Sequence, residues 1–287
     1  MAGLGSGTIV ACSSRVIASQ FEPQRRGTAM GIFFSATMAG LLLSNKLAPI
    51  ALEIGSWRKG FVWLGMGLMF LSVLLFLFIQ KEPRKETNET IFGGVTTVFK
   101  VKNVVIMAFV GFTYIWLVLA FATWANRYMG SIGIEVADAS SVMSWYSISA
   151  LVGTFLGGWA VDAFKLNRRY FVVVMFILMV VTTFVFAKQT TVMGLSLVAA
   201  LYGFVSYLPN SNLTTLVVYY AGDQYAGTAV GGINFIWQFG AVLSPTIAGA
   251  VFEFTGSFNS VWIMLVALPL LGIVSLFSLR SQEQATI

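Results

Sequence analysis

NVVIMAFVGFTYIWLVLAFATWAN, residues Asn103–Asn126, runs through the chain without one charged side chain. As a helix it is long enough to cross a hydrocarbon core of roughly 30 Å. Phe61–Gln80 is a second run of the same kind. In lipid only helices and closed barrels satisfy every backbone N–H and C=O, and neither run shows the alternation of a barrel strand. The rest of the chain shares this character. Apolar residues make up 57% of 287 positions, and phenylalanine occurs 25 times. Charged residues make up 10%, against about 25% in a soluble domain.

Nine hydrophobic segments follow from this pattern: 3–20, 27–53, 59–80, 103–126, 138–162, 169–187, 191–220, 227–252 and 259–279. The longest interval between them is 81–102, where Pro83 and the pair Gly93-Gly94 mark a loop that is non-helical in part. Basic residues set the orientation. Eleven of them, among them Arg25, Arg26, Lys81, Lys100, Lys165, Arg168, Arg169 and Arg280, fall in one set of loops; Arg58, Lys59, Arg127 and Lys188 fall in the other. Eleven against four places the first set and the C-terminus in the cytoplasm, and Met1 on the opposite side. The net charge of +6 is distributed as membrane topology, not as a nucleic-acid face. A single cysteine, Cys12, excludes an internal disulfide, and the absence of histidine removes the usual proton carrier near neutral pH.

Residues 1–53 align without gaps on 201–253 at a constant offset of 200, with twelve identities. These include Gly27-Thr28-Ala29 on Gly227-Thr228-Ala229, Gly31 on Gly231, Gly40 on Gly240 and Leu43-Ser44 on Leu243-Ser244. Many fall on the small residues through which membrane helices pack. The two copies have the same orientation, a relation found between the halves of some transporters.

Several motifs give the repeat a family. Arg25-Arg26-Gly27-Thr28-Ala29-Met30-Gly31 is similar to the basic loop and small-residue start of helix five in the major facilitator superfamily. Gly55-Ser56-Trp57-Arg58 resembles the turn entering its helix six, and Gly227–Gly249 its eleventh helix with Pro245. Gly158, then Asp162, then Arg168 and Arg169 resemble its loop between helices eight and nine, although Ala163 and Lys165 replace a usual basic residue and a usual glycine. Ser44-Asn45 stands where the family's antiporters usually carry glycine-proline, which leans against proton-driven drug efflux. The resemblance covers essentially the whole chain. It implies an all-α polytopic membrane protein, a bundle of nine transmembrane helices corresponding to helices four to twelve of a twelve-helix fold, with about 100 residues holding the first three helices not represented. The expected organisation is a partial N-terminal bundle at 1–80, a cytoplasmic central loop at 81–102, a six-helix C-terminal bundle at 103–280 and a tail at 281–287.

In such a fold the substrate cavity lies near the midplane between the halves, and polar residues on its helices are the candidates. Arg15 and Lys46 offer cations for an anionic substrate; the competing reading of each is a side chain that snorkels to the nearer interface. Tyr114, Tyr207, Asn210, Asn212, Asn234, Trp237 and Gln238 complete the substrate-binding set. For the aromatics the alternative is plain packing, and for the amides it is interhelical hydrogen bonding. Gly158, Asp162, Arg168 and Arg169 are the gating candidates, with a capping aspartate beside topology-setting charges as the alternative.

The resulting expectation is a secondary transporter of a small solute, an organic anion in the first reading, working by alternating access in the cell membrane as a monomer. A drug or metabolite exporter and a truncated, non-transporting membrane protein are the rivals. The expected partners are the small-molecule substrate, with or without a coupling proton or ion, and the lipid bilayer; no nucleic acid is expected. No nucleophile–base pair, metal cluster or phosphate loop is legible, so neither an enzyme nor a metal or cofactor is expected.

Overall fold

The computed structural model describes residues 9–36, 39–40, 57–78 and 91–279. These residues are helical apart from short turns, with no strand among them. In chain order the helices are α1 (Ile9–Gln20), α2 (26–36), α3 (Trp57–Phe78), α4 (Ile91–Lys100), α5 (Lys102–Ser131), α6 (Val136–Ala163), α7 (Arg168–Phe186), α8 (Val192–Tyr207), α9 (Asn210–Ala221), α10 (Ala226–Thr255) and α11 (Phe258–Phe277). Two compact units form. One comprises Met1–Ser35 with Ile91–Ile287, and the other Ala36–Thr90, which holds α3.

By length and composition, five stretches among the described residues suffice to cross a membrane: Lys102–Ser131, Arg168–Phe186, Val192–Ala221, Asp223–Thr255 and Phe258–Phe277. Val62–Leu74 is a shorter apolar helix. The segment expected to span at 138–162 is helical, as the 28-residue α6, but is not among these five. Its serines lower its hydropathy, but the Ser140, Ser144 and Ser147 hydroxyls donate to the carbonyls of Val136, Ser140 and Met143 one turn back. Those bonds satisfy three of the five serine hydroxyls of α6 within the helix itself. One expectation is corrected: Gly93 and Gly94, read as helix-interrupting, lie inside α4. Glycine lowers helix propensity by only about 1 kcal/mol per residue, and tertiary packing routinely overrides a preference of that size.

The offset of 200 reappears as geometry. Helix α1 ends at Gln20 and α9 at Ala221, while α2 begins at residue 26 and α10 at Ala226. Proline decides the break between α8 and α9. Pro209 has no N–H to return to Val205, so the helix stops at Tyr207 and restarts at Asn210.

The core of the larger unit is built around α5, which packs against α10 and α11, while α6 lies along α8. Lipid-facing helices gain no hydrophobic driving force from meeting one another, so close backbone approach has to supply the attraction. Glycine makes that approach possible. A Cβ at Gly153 or Gly157 of α6 would overlap the backbone of Phe204 or Leu208, and one at Gly203 would overlap Tyr146. On the other side of the bundle the indole of Trp237 lies against Gly111, and its Nε1 donates to Met107 O at 3.2 Å. Phe121, fully buried, stacks on Tyr202 at 3.8 Å between centroids. Trp124 donates to Pro245 O at 3.2 Å, using a carbonyl near the proline inside α10.

Gly157→Ala is expected to destabilise the protein by about 1–3 kcal/mol through overpacking. Gly67→Ala, with nothing within 4 Å of its added Cβ, is expected to be neutral or mildly stabilising. Equilibrium unfolding in detergent micelles compares the two; equal stabilities would refute close packing of α6 on α8.

Candidate functional site

Asp162 sits in the last turn of α6, at the negative end of that helix's dipole, where a carboxylate is poorly placed. The missing donors come from elsewhere in the chain. Thr28, in the first turn of α2, donates its backbone N–H to Asp162 Oδ2 at 2.6 Å and its hydroxyl to the same oxygen at 2.7 Å. Asp162 therefore caps a helix 134 positions away and meets its positive end. Arg168, opening α7, pairs its Nη2 with Asp162 Oδ1. Its Nη1 donates to Asn212 Oδ1 at 2.8 Å, and Asn212 Nδ2 donates to Gly157 O at 2.8 Å and Leu208 O at 3.2 Å. The side chains of Asp162 and Arg168 are only 7% and 17% exposed, so water screens this pair far less than a surface ion pair.

Two glycines set the spacing. A Cβ at Gly158 would overlap Gly27 O, and one at Gly31 would lie 3.1 Å from Phe155 O. The backbones of α2 and α6 thus approach closely enough for Thr28 to reach the carboxylate. The turn that carries α6 into α7 contains Lys165 at φ 52°, the one non-glycine with positive φ among the described residues. That left-handed conformation costs a residue with a Cβ about 1 kcal/mol. Asn167 then caps α7, accepting from Arg169 N at 3.1 Å and Tyr170 N at 3.4 Å.

A second link joins the first residue of α2 to the 3₁₀ turn Asp223–Tyr225 before α10. Arg26 forms a bidentate pair with Asp223, at 2.7 and 2.9 Å. It also donates to Ala18 O at 2.6 Å and Phe21 O at 3.1 Å, which satisfies carbonyls at the end of α1. Asp223 is 64% exposed, so the pair itself contributes less than the capping bonds.

The other sequence candidates fall in several places. Asn212 joins the Asp162 network instead of standing with the other amides. Arg169 sits apart from that network and donates to Leu279 O at 3.0 Å and Phe277 O at 2.7 Å, at the end of α11. Arg15 is exposed on α1, with its Cβ against Gly227 at the start of α10. Lys46 lies outside the described residues. Tyr114 is buried and stacks on Phe176 at 6.1 Å, and Tyr207 meets Tyr146 edge-on at 6.3 Å. Trp237 is engaged with Met107 and Gly111 in helix packing. Asn210 and Asn234 are half-buried, and Gln238 is exposed. Thr28 and the Arg26–Asp223 pair escaped the sequence reading. Thr28 stood inside the repeated Gly-Thr-Ala triplet, which was a usable signal; Arg26 counted only as a topology charge.

Breaking the buried pair from one side is expected to cost more than removing both partners. Asp162→Ala leaves Arg168 uncompensated and should cost about 3 kcal/mol, part of which returns when Arg168→Ala is added. Unfolding of both single variants and the double variant measures this; strictly additive losses would show that the two side chains do not act as a pair.

The Major Facilitator Superfamily sequence model matches residues 1–245. A hexuronate transporter of Bacillus subtilis (strain 168) is 23% identical over 285 residues, covering 91% of this chain and 67% of its own length. A probable sulfoacetate transporter, SauU, of Cupriavidus necator is 24% identical over 312 residues, covering 99% of this chain and 71% of its own. Among solved structures, a Major Facilitator Superfamily transporter, FucP, in the outward conformation superimposes with a TM-score of 0.74 at 11% identity, over 94% of this chain and 72% of its own.

Proposed function

The chain belongs to the major facilitator superfamily, and on that premise we propose that it carries a small organic anion across the cell membrane by alternating access. The observation that carries the reading is the bond from Asp162 to the start of α2. In a twelve-helix frame α1 and α2 belong to the first bundle and α5–α11 to the second, so this contact latches one bundle to the other. A latch has to hold and also let go. Charge-assisted hydrogen bonds contribute about 1.5–3 kcal/mol each, so a few of them match the few kcal/mol that separate conformers in such equilibria. Arg26–Asp223 adds a second, more exposed latch. Gly158 acts by permitting contact with Gly27, and Arg168 by holding the carboxylate toward Thr28. The basic loops assign this end and the C-terminus to the cytoplasm, which makes the closed end the inner one.

The anionic substrate is supported by chemistry on both sides. Hexuronate carries a carboxylate, and sulfoacetate a carboxylate and a sulfonate, so the two relatives named for them handle small oxyanions. Arg15, on α1, offers the planar fork that binds such groups. Tyr207, Asn210, Asn234 and Gln238, with Lys46, remain its companions in this proposal.

Reconstituted into liposomes, the protein should take up a hexuronate or sulfoacetate saturably and in preference to a neutral hexose or an organic cation. Arg15→Gln should lower uptake by roughly 10- to 100-fold, the worth of the lost charged hydrogen bonds, while membrane insertion is retained. Undiminished uptake by the variant removes Arg15 from the site. A preference for the cation overturns the anion reading.

A further inference from the structure

Beside Asp162 lies a cleft of about 530 Å³. Its walls come from the turn ahead of α2, from the α6–α7 turn with the first residues of α7, and from α9. Four cations line it, Arg26, Lys165, Arg168 and Arg169, with a single acid, Asp162. Pairing resolves only half of that charge. Arg168 is balanced by Asp162, and Arg26 by Asp223. Arg169 spends its terminal nitrogens on the neutral carbonyls of Leu279 and Phe277, and its Nε is buried without a hydrogen-bond partner among the described residues. Lys165 is exposed and is held in the cleft's rim at φ 52°, a conformation that glycine would adopt freely. Among the described residues, two of the four cations lining the cleft, Lys165 and Arg169, therefore have no acidic partner.

We propose that this cleft binds a phosphate group of charge close to −2, held between Lys165 and Arg169. The charge arithmetic selects the group. A phosphate monoester or inorganic phosphate carries about −1.5 to −2 at neutral pH and presents three strong acceptor oxygens. A carboxylate or a phosphodiester, at one negative charge, leaves one cation unmatched. The same group is available from two sources: a soluble phosphate, or the monoester headgroup of an acidic lipid at the interface. Because the walls come both from the turn leading into α2 and from α6, α7 and α9, a bound phosphate ties together the segments that the Asp162–Thr28 bond also joins. Occupancy thus favours the latched state. The site rests on this charge balance and not on any transported substrate, so its test reads binding alone.

Thermal unfolding of the purified full chain provides the test, in two arms. In detergent micelles inorganic phosphate is titrated against sodium chloride at matched ionic strength. In nanodiscs, phosphatidylcholine is compared with phosphatidylcholine containing phosphatidic acid. The midpoint should rise saturably in at least one arm. A response in micelles identifies a soluble phosphate, and a response confined to the phosphatidic-acid discs identifies the lipid headgroup. Lys165→Asn, which tolerates the left-handed backbone, should unfold at or above the wild-type midpoint without ligand yet bind about tenfold more weakly. Lys165→Arg should retain binding. The response should also fade as pH falls through the second ionisation of the phosphate, where the group drops to one negative charge. Midpoints that follow ionic strength alone in both arms, or an unchanged response in Lys165→Asn, overturn the proposal.

Discussion

Asp162 ends a helix at the wrong pole of its own dipole, and the rest of the site is arranged around that misplacement. On α6 alone the carboxylate is repelled by the carbonyls behind it. It becomes favourable only when the first turn of α2 supplies an N–H and a hydroxyl and Arg168 supplies a cation. The same charge is thus costly without α2 and well satisfied with it. In the proposed cycle this asymmetry is what gives the contact two distinct states instead of a continuous range.

Packing decides whether that contact can form at all. Thr28 reaches Asp162 because Gly27 and Gly158 let two backbones touch. A Cβ at Gly158 would overlap the backbone at Gly27, and one at Gly27 would overlap the Arg168 guanidinium and crowd Asp162 Oδ1, so either side chain would disturb the contact. The same device recurs where α6 meets α8 through Gly153, Gly157 and Gly203, and where α5 meets α10 through Gly111 beneath Trp237. Gly157 connects the two levels: it packs on Leu208, and its carbonyl receives Asn212, which in turn positions Arg168. The rigid part of the bundle and the polar network at its end therefore share residues.

The Lys165 turn shows how local backbone and global charge interact. A lysine at positive φ gains nothing locally, since glycine would sit there without strain. Its charge, added to that of Arg169, gives the neighbouring cleft an excess of cations over acids among the described residues. The conformational cost and the electrostatic imbalance are properties of one residue read at two scales.

Helix-forming runs, their approximate ends, the repeat at an offset of 200 and the family were legible in the sequence, because lipid imposes long charge-free segments and small-residue seams that composition alone displays. Gly158, Asp162 and Arg168 were legible as a group, since they lie within eleven positions of one another. Their partners were not. Thr28, Asn212 and the Arg26–Asp223 pair are joined across 44 to 197 positions, and no local pattern encodes which donor meets which acceptor at that range. Sequence could also say that Trp237, Tyr114 and Asn212 were polar or aromatic inside a span, but not which way each faced. That was decided by tertiary structure, because the rotation of a helix about its axis follows from where neighbouring glycines permit contact. Trp237 and Asn212 were thereby turned to Gly111 and to the Asp162 network.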